Sequence, residues 1–198
     1  ITDEPVQTVK KPLISEDTLV TFFCELARYS GFFNRHIQKL LPAVVSETIR
    51  VDWSCFLFPS PRNTMFNEME YELPAENGVA CLEEVLATIR RAKVNVFFPL
   101  EFRFVKQDDC WMSPFYKQDS ASISLHQYTK QDHWELFKVA EPVFRKYGGR
   151  PHWGKIHSLS HAELCELYPK WDEFHALRRE LDPNGKFMNA YLKHIMGS

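Results

Sequence analysis

A cation, a large aromatic side chain and a bare backbone position occur together in the segment Arg-Pro-His-Trp-Gly-Lys at residues 150–155. The proline fixes its own φ and disfavours a helical residue before it, so we expect an extended segment. Alternation along an extended chain would place His152 and Gly154 on one side, opposite Trp153 and Lys155. A flat or bulky group could approach the backbone at the glycine. An edge strand with a solvated lysine is the alternative, and these six residues alone favour it.

A carboxylate and a second cation are spaced two residues apart, at Glu101 and Arg103. On one strand their Cα atoms would be roughly 6.8 Å apart, with side chains on the same face. The alternate residues of this stretch are apolar and should be covered by helices: Val96, Phe98, Leu100, Phe102 and Phe104. We therefore expect Glu101 and Arg103 on the opposite face, with His126 of a later strand as a weaker candidate there. Such a face could cover a ligand, or it could be solvated with a weak ion pair.

The order of predicted elements places these residues on one sheet. A βαββαβ order predicts an α+β fold with a ferredoxin-like antiparallel sheet and its helices on one face. An N-terminal helical linker and a C-terminal helical segment should flank it. The predicted strands are 68–73, 95–105, 122–128 and the segment 150–155. The predicted helices are 15–31, 33–47 with a kink at Pro42, 77–93, 132–147, 160–169 and 171–181; residues 51–63 should be irregular or a short strand.

Strict alternation in residues 68–73 puts three apolar residues on one face and Glu68, Glu70 and Glu72 on the other. We interpret the glutamates as a solvated sheet face and not as a metal site. On the next helix, the predicted buried stripe is Val79, Leu82, Val85, Leu86 and Ile89.

Composition narrows the class of protein. The 198 residues carry a net charge of −2, which gives no electrostatic reason to expect nucleic acid or an anionic membrane as partner. Five scattered cysteines without a CxxC pair predict reduced thiols, no disulfide framework and no metal. We expect a cytoplasmic protein without a transmembrane segment, and peripheral membrane association stays open. The start at Ile1 suggests a fragment or processed product. Seven glycines without a GxGxxG motif indicate that no dinucleotide pyrophosphate is wrapped by this chain.

Several further motifs occur in a matching order between about residues 59 and 192. They are Leu-Glu-Phe-Arg-Phe at 100–104, Asp-Asp-Cys-Trp-Met-Ser-Pro at 108–114, Leu-Tyr-Pro-Lys-Trp at 167–171, Leu-Asp-Pro-Asn-Gly-Lys-Phe at 181–187 and Asn-Ala-Tyr-Leu at 189–192. Together with residues 150–155 they resemble the carboxy-terminal signature of the FAD-linked sugar-lactone and alditol oxidases. That family, of the vanillyl-alcohol oxidase type, includes L-gulono-1,4-lactone, D-arabinono-1,4-lactone and alditol oxidases. Gly154 departs from the alanine usual in lactone oxidases and is closer to alditol oxidases.

The resemblance implies a flavoprotein oxidoreductase that moves a hydride from a sugar lactone or polyol to flavin N5. It implies that the sheet covers the isoalloxazine ring, that oxygen or another acceptor takes the electrons, and that FAD is bound mainly by a domain absent from this chain. Residues 1–63 would then be a linker from that domain, 64–158 the substrate domain and 159–198 a segment returning to the FAD domain, and the isolated chain would be inactive. The implied catalytic residues are Glu101, Arg103 and Lys155, the implied cofactor contacts are Lys155, His152, Trp153 and Gly154, and the implied substrate contacts are Glu101, Arg103 and His126.

Two readings of other classes stay open at this point. One is a ferredoxin-like nucleic-acid-binding module without catalysis, which would need exposed aromatic residues on the sheet. Phe97 is the candidate for that role, although Pro99 and the glutamates oppose it. The other is a non-catalytic scaffold remnant.

Overall fold

The computed structural model of the protein describes residues 16–44, 51–57 and 63–197. Its regular elements are helices and the strands of one antiparallel sheet, which confirms the predicted α+β class. They are α1 (Glu16–Ala27), α2 (Gly31–Val44), α3 (Ser54–Leu57), β1 (Phe66–Pro74), a 3-10 turn (Ala75–Asn77), α4 (Gly78–Ala92), β2 (Glu101–Val105), β3 (Ser120–Tyr128), α5 (Trp134–Lys146), β4 (Arg150–Pro151), α6 (His161–Leu167), α7 (Trp171–Leu181) and α8 (Ala190–Met196).

The four strands form one antiparallel sheet in the order β2-β3-β1-β4. β2 pairs with β3, and β4 pairs with β1, both antiparallel. The amide of Ala75 donates to Asp119 O at 2.9 Å, and that of Thr129 donates to Met65 O at 3.2 Å. These bonds join the two ends of β1 and β3 in the antiparallel sense. Because each crossover helix skips one strand, this is the order of the predicted split βαβ, ferredoxin-like fold.

One face of the sheet is apolar and packs beneath α4 and α5. Its buried residues come from alternate positions of β1 and β3: Met69, Tyr71, Leu73, Ala121, Ile123 and Leu125. The Tyr71 ring stacks on Phe144 of α5, with ring centroids 5.0 Å apart. At the start of α4, a Cβ added to Gly78 would lie only 2.3 Å from the Cβ of Ala121. The helix can therefore approach β3 this closely only because residue 78 is glycine.

Several element predictions were wrong in detail. Residues 54–57 form the short helix α3 rather than an irregular segment or a short strand, and Gly31 begins α2 instead of ending the helix before it. β2 starts only at Glu101, so the expected long strand from residue 95 is not formed. In α4 the buried positions are Gly78, Cys81 and Val85, whereas Val79 is 54% exposed. The helix therefore buries a face that differs from the predicted one, because Gly78 at its start packs against β3.

Helix α2 continues through Pro42, and the remainder of the predicted helix, 45–47, lies outside the described residues. In the C-terminal segment the predicted capping box is confirmed, since the Ser160 side chain accepts from the Glu163 amide and the Glu163 side chain accepts from the Ser160 amide. A further short helix, α8, is capped by Asn189, which accepts from Leu192 N at 2.8 Å. The pattern of apolar residues does not predict α8.

The chain divides into two compact units. One contains the described residues up to Asn67 with Asn95–Phe98 and Gln127–His133, and the other contains Glu68–Val94, Pro99–His126 and Trp134 onward. In the first unit Phe97 is buried in a cluster with Cys24, Ala27 and Tyr128. The aromatic residue on which a nucleic-acid surface depended is therefore part of a core. The domain boundaries proposed from the sequence stay a prediction.

Candidate functional site

Strand β2 places Glu101 and Arg103 on the polar face of the sheet, as predicted. In the β2–β3 register Glu101 lies opposite Ser124, and Arg103 lies opposite Ser122. Facing residues of paired strands project on the same side of a sheet. The polar face therefore carries the even-numbered residues of β3 together with Glu101 and Arg103. The expected apolar cover of β2 is incomplete, because Phe104 on its other face is 67% exposed.

Arg103 pairs with a glutamate of β1. Its Nη2 donates to Glu70 Oε1 and lies 3.5 Å from Ser122 Oγ, while the Ser122 hydroxyl donates to the same Glu70 oxygen at 2.8 Å. Burial by itself would raise the pKa of Glu70. The Ser122 hydrogen bond and the charges of Arg103, His152 and Lys155 outweigh burial, so the pKa of Glu70 is lowered from its usual value. Glu70 is thus held as a carboxylate.

Lys155 pairs with the first glutamate of β1. Its ammonium group donates to Glu68, and the Nε2 of His126 lies 3.4 Å from the other oxygen of that carboxylate. The Nδ1 of His126 is 3.1 Å from Pro99 O, and a carbonyl can only accept, so Nδ1 carries a proton. His126 is 5% exposed and Lys155 is 28% exposed. The prediction that His126 shares the face of Glu101 and Arg103 agrees with this geometry.

The segment after β4 is a turn and not the extended strand that was predicted. Arg150 and Pro151 pair with β1, and the amides of His152 and Ile156 donate to Glu70 O and Glu68 O of the same strand. Between these two bonds the chain turns, and the amide of Lys155 donates to His152 O at 3.1 Å. The expected alternation of side chains is therefore wrong for 152–155. The turn brings Lys155 back to Glu68.

Inside this turn, His152 and Gly154 support each other. The Gly154 amide donates to His152 Nδ1 at 3.0 Å. A Cβ at Gly154 would lie 3.3 Å from Cε1 of that imidazole. The space that the glycine leaves is filled on that side by His152, which gives a structural reason for glycine that differs from the approach of a flat ligand.

Trp153 anchors the turn to residues of other segments. Its Nε1 donates to Met112 O at 2.8 Å. Its ring lies against Tyr168, with centroids 4.6 Å apart, and 6.1 Å from the ring centroid of Trp171. Tyr168 in turn donates to Pro151 O at 2.9 Å. The indole fixes the backbone that carries Lys155, as its bulk suggested.

The third glutamate of β1 contradicts the expectation of a solvated face. Glu72 is fully buried, and neither of its carboxyl oxygens has a hydrogen-bond partner among the residues that the structure describes. Burial, and secondly the charge of Glu70, raises the pKa of Glu72 to about 8. Glu72 is therefore protonated at neutral pH. Alternation assigned its face correctly but gave no sign that the face is covered.

Glu101 differs from all three glutamates of β1. It is exposed, and within residues 16–44, 51–57 and 63–197 no cation or hydrogen-bond donor pairs with it. The carboxylate that contacts Arg103 is that of Glu70 and not that of Glu101.

This donor set fits the ring of a cofactor better than its phosphates. The N–H groups of Lys155 and Arg103 lie on one face and suit an electron-rich ring edge or substrate oxygens. The described part of the chain shows no group of three or more His, Cys, Asp or Glu side chains placed to hold a metal ion. It also includes no helix long and apolar enough to cross a membrane.

Comparison with known proteins identifies relatives over most of the chain. The family model described as D-arabinono-1,4-lactone oxidase matches residues 2–195. The chain is 35% identical over 178 residues to L-gulono-1,4-lactone dehydrogenase of Mycobacterium tuberculosis, covering 90% of this chain and 42% of that protein. It is 32% identical to L-gulonolactone oxidase of Scyliorhinus torazame, covering 84% and 38%. It is 34% identical to alditol oxidase of a Streptomyces species, covering 65% and 31%. The chain thus spans about two fifths of the first two relatives.

Proposed function

Because this chain belongs to the D-arabinono-1,4-lactone oxidase family, we propose that it is the carboxy-terminal, substrate-side part of an FAD-dependent oxidoreductase that oxidises a sugar lactone or a polyol. The observation that carries the proposal is the placement of Glu101, Arg103 and Lys155 on one polar sheet face. Their surroundings differ: each cation is held by a β1 glutamate, and Glu101 is unpaired within the described residues.

These differences assign the roles. FAD, when bound, supplies the hydride acceptor. Glu101 accepts the proton of the substrate hydroxyl, since an exposed carboxylate without a cation partner can approach it. Arg103 holds a substrate oxygen with the N–H groups that Glu70 does not use. Lys155 provides a fixed positive charge for the cofactor ring, and Glu68 holds its ammonium group in place.

The chain holds no glycine-rich phosphate loop, and it spans about two fifths of its first relatives. We therefore assign most of the FAD contacts to a part of the protein outside this sequence, with His152, Trp153 and Gly154 as the support of Lys155. The isolated chain is then inactive. Relatives carry the names of both oxidases and dehydrogenases, so oxygen or another acceptor completes the turnover; oxygen uptake compared with dye reduction distinguishes the two.

The decisive experiment is rapid reduction of the full-length protein by an aldonolactone or a polyol. Arg103→Ala and Glu101→Gln should each slow bleaching of the flavin by about 100-fold or more, the typical effect of losing one preorganised group in a water-poor site. Glu83→Gln, on the exposed side of α4, is the matched control and should reduce normally. Wild-type rates in both site variants would exclude these residues from the chemistry.

A further inference from the structure

We propose that Glu70 is the positioning residue of Arg103. The inference rests on the proposed function, because it concerns an arginine assigned to substrate there. Its basis is the path of the Arg103 side chain over the sheet.

Arg103 crosses a whole strand to reach its partner. It starts on the edge strand β2, passes over Ser122 of β3, and ends at Glu70 on β1. Adjacent strands are about 4.8 Å apart, so the backbones at Arg103 and Glu70 are about 10 Å apart at right angles to the strands, and the two side chains together bridge that distance. A long, flexible side chain adopts one such path only if a partner fixes its far end.

Glu70 is suited to fix that end. Its side chain is 5% exposed, whereas that of Arg103 is 54% exposed, so the carboxylate is the immobile member of the pair. One oxygen, Oε1, receives both the Nη2 of Arg103 and the hydroxyl of Ser122. An ionised carboxylate buried to this extent must keep its partners, because losing one leaves a charge without compensation.

The pairing leaves Arg103 able to bind a ligand. Among the described residues only its Nη2 is engaged, so the N–H groups of Nη1 and Nε stay available on a half-exposed guanidinium. The pairing also keeps Arg103 away from Glu101, which is two residues along the same face. Without Glu70, Glu101 would be the carboxylate available to Arg103 on the same face of β2, and pairing between them would neutralise the cation and the proton acceptor.

The test is a double-mutant cycle on the full-length protein, measuring flavin reduction at saturating aldonolactone. Glu70→Gln keeps the shape and removes the charge, and it should slow reduction about 10- to 100-fold, the range for losing one charged hydrogen bond. If Glu70 acts through Arg103, adding Glu70→Gln to Arg103→Ala should slow reduction no further. Glu70→Asp, which retains a carboxylate, should recover part of the rate.

Chemical rescue supplies a readout that a purely structural role would not change. Millimolar guanidinium should partly restore Arg103→Ala, because the Glu70 carboxylate can hold the free cation, and it should not restore the Glu70→Gln/Arg103→Ala double variant. Asp119→Asn is the matched control. It removes the exposed ion pair between Asp119, just before β3, and Lys106, just after β2, and it should leave the rate unchanged.

The outcomes separate the two proposals. If Arg103→Ala reduces at the wild-type rate, the function proposed for Arg103 fails whatever Glu70 does. If Arg103→Ala is slow but Glu70→Gln is normal, or if the two effects multiply in the double variant, the positioning role of Glu70 is overturned. If Glu70→Gln does not fold, Ser122→Ala takes its place: it keeps both charges, and its smaller slowing should also vanish in the Arg103→Ala background, whereas persistence there overturns the proposal.

Discussion

Glu72 offers a prediction whose size follows from its burial. The folded protein holds its proton up to a pKa of about 8, whereas the unfolded chain releases it near the ordinary value of 4.5. Between these values the folded state binds the extra proton, so stability falls as pH rises. The folded and unfolded pKa values of Glu72 differ by about 3.5, and each pH unit between them corresponds to about 1.36 kcal/mol. The free energy of unfolding therefore falls by about 5 kcal/mol over the whole window, and by about 3 kcal/mol up to pH 7.

Glu72→Gln tests this directly, because the amide resembles the protonated acid in shape and charge. The variant should match the wild type near pH 5 and become the more stable protein as pH rises, by about 3 kcal/mol at pH 7 and about 5 above pH 8. The pKa of Glu70 is lowered, so Glu70 changes the stability only below its ordinary pKa of 4.5, outside the pH range tested here. The assay is urea denaturation of the full-length protein from pH 5 to pH 9, followed by tryptophan fluorescence.

Glu76→Gln is the control, since Glu76 is exposed in the turn that follows β1. It should show no pH-dependent gain. A constant difference between Glu72→Gln and wild type from pH 5 to pH 9 would refute the reasoning, because it would mean that Glu72 titrates alike in the folded and unfolded states.

Three further outcomes are expected. The isolated chain should bind no FAD by calorimetry or flavin fluorescence, because it has no glycine-rich phosphate loop, and micromolar binding would show that the cofactor site is misplaced. In the full-length protein, Lys155→Met should lower the flavin potential and weaken sulfite addition with little change in melting temperature; unchanged potential and sulfite affinity would return Lys155 to a structural role. Gly78→Ala should destabilise the protein by about 1–3 kcal/mol in urea, since its Cβ would meet that of Ala121 at 2.3 Å; Gly185→Ala, strained by φ of +62° but unobstructed, separates steric overlap from backbone strain.

Local periodicity predicted much of the fold correctly. Alternation in β1 assigned Met69, Tyr71 and Leu73 to the helix side and the glutamates to the other, because side chains alternate in any strand. The spacing of Ser160 and Glu163 predicted the capping box of α6, because its hydrogen bonds form within one helical turn and depend only on local sequence. Glu101 and Arg103 share a face on the same principle.

Predictions that required knowledge of the surroundings were the ones that failed. Residues 152–155 turn because the aromatic rings of Tyr168 and Trp171 receive Trp153, and nothing within the six-residue segment specifies those rings. Val79 is exposed because the glycine at the start of α4 sets that helix against β3. Phe97 lies outside β2 and packs in the cluster with Cys24 and Ala27.

The sequence by itself determined the order of the strands and crossover helices of the sheet, the two faces of β1, the shared face of Glu101 and Arg103, and the family to which the motifs belong. Only the tertiary structure decided which charges meet. Glu70 is 33 residues from Arg103, and Glu68 is 87 residues from Lys155. Local spacing cannot encode such pairs, because they form only when three strands and a turn assemble on one sheet and remove the glutamates from water.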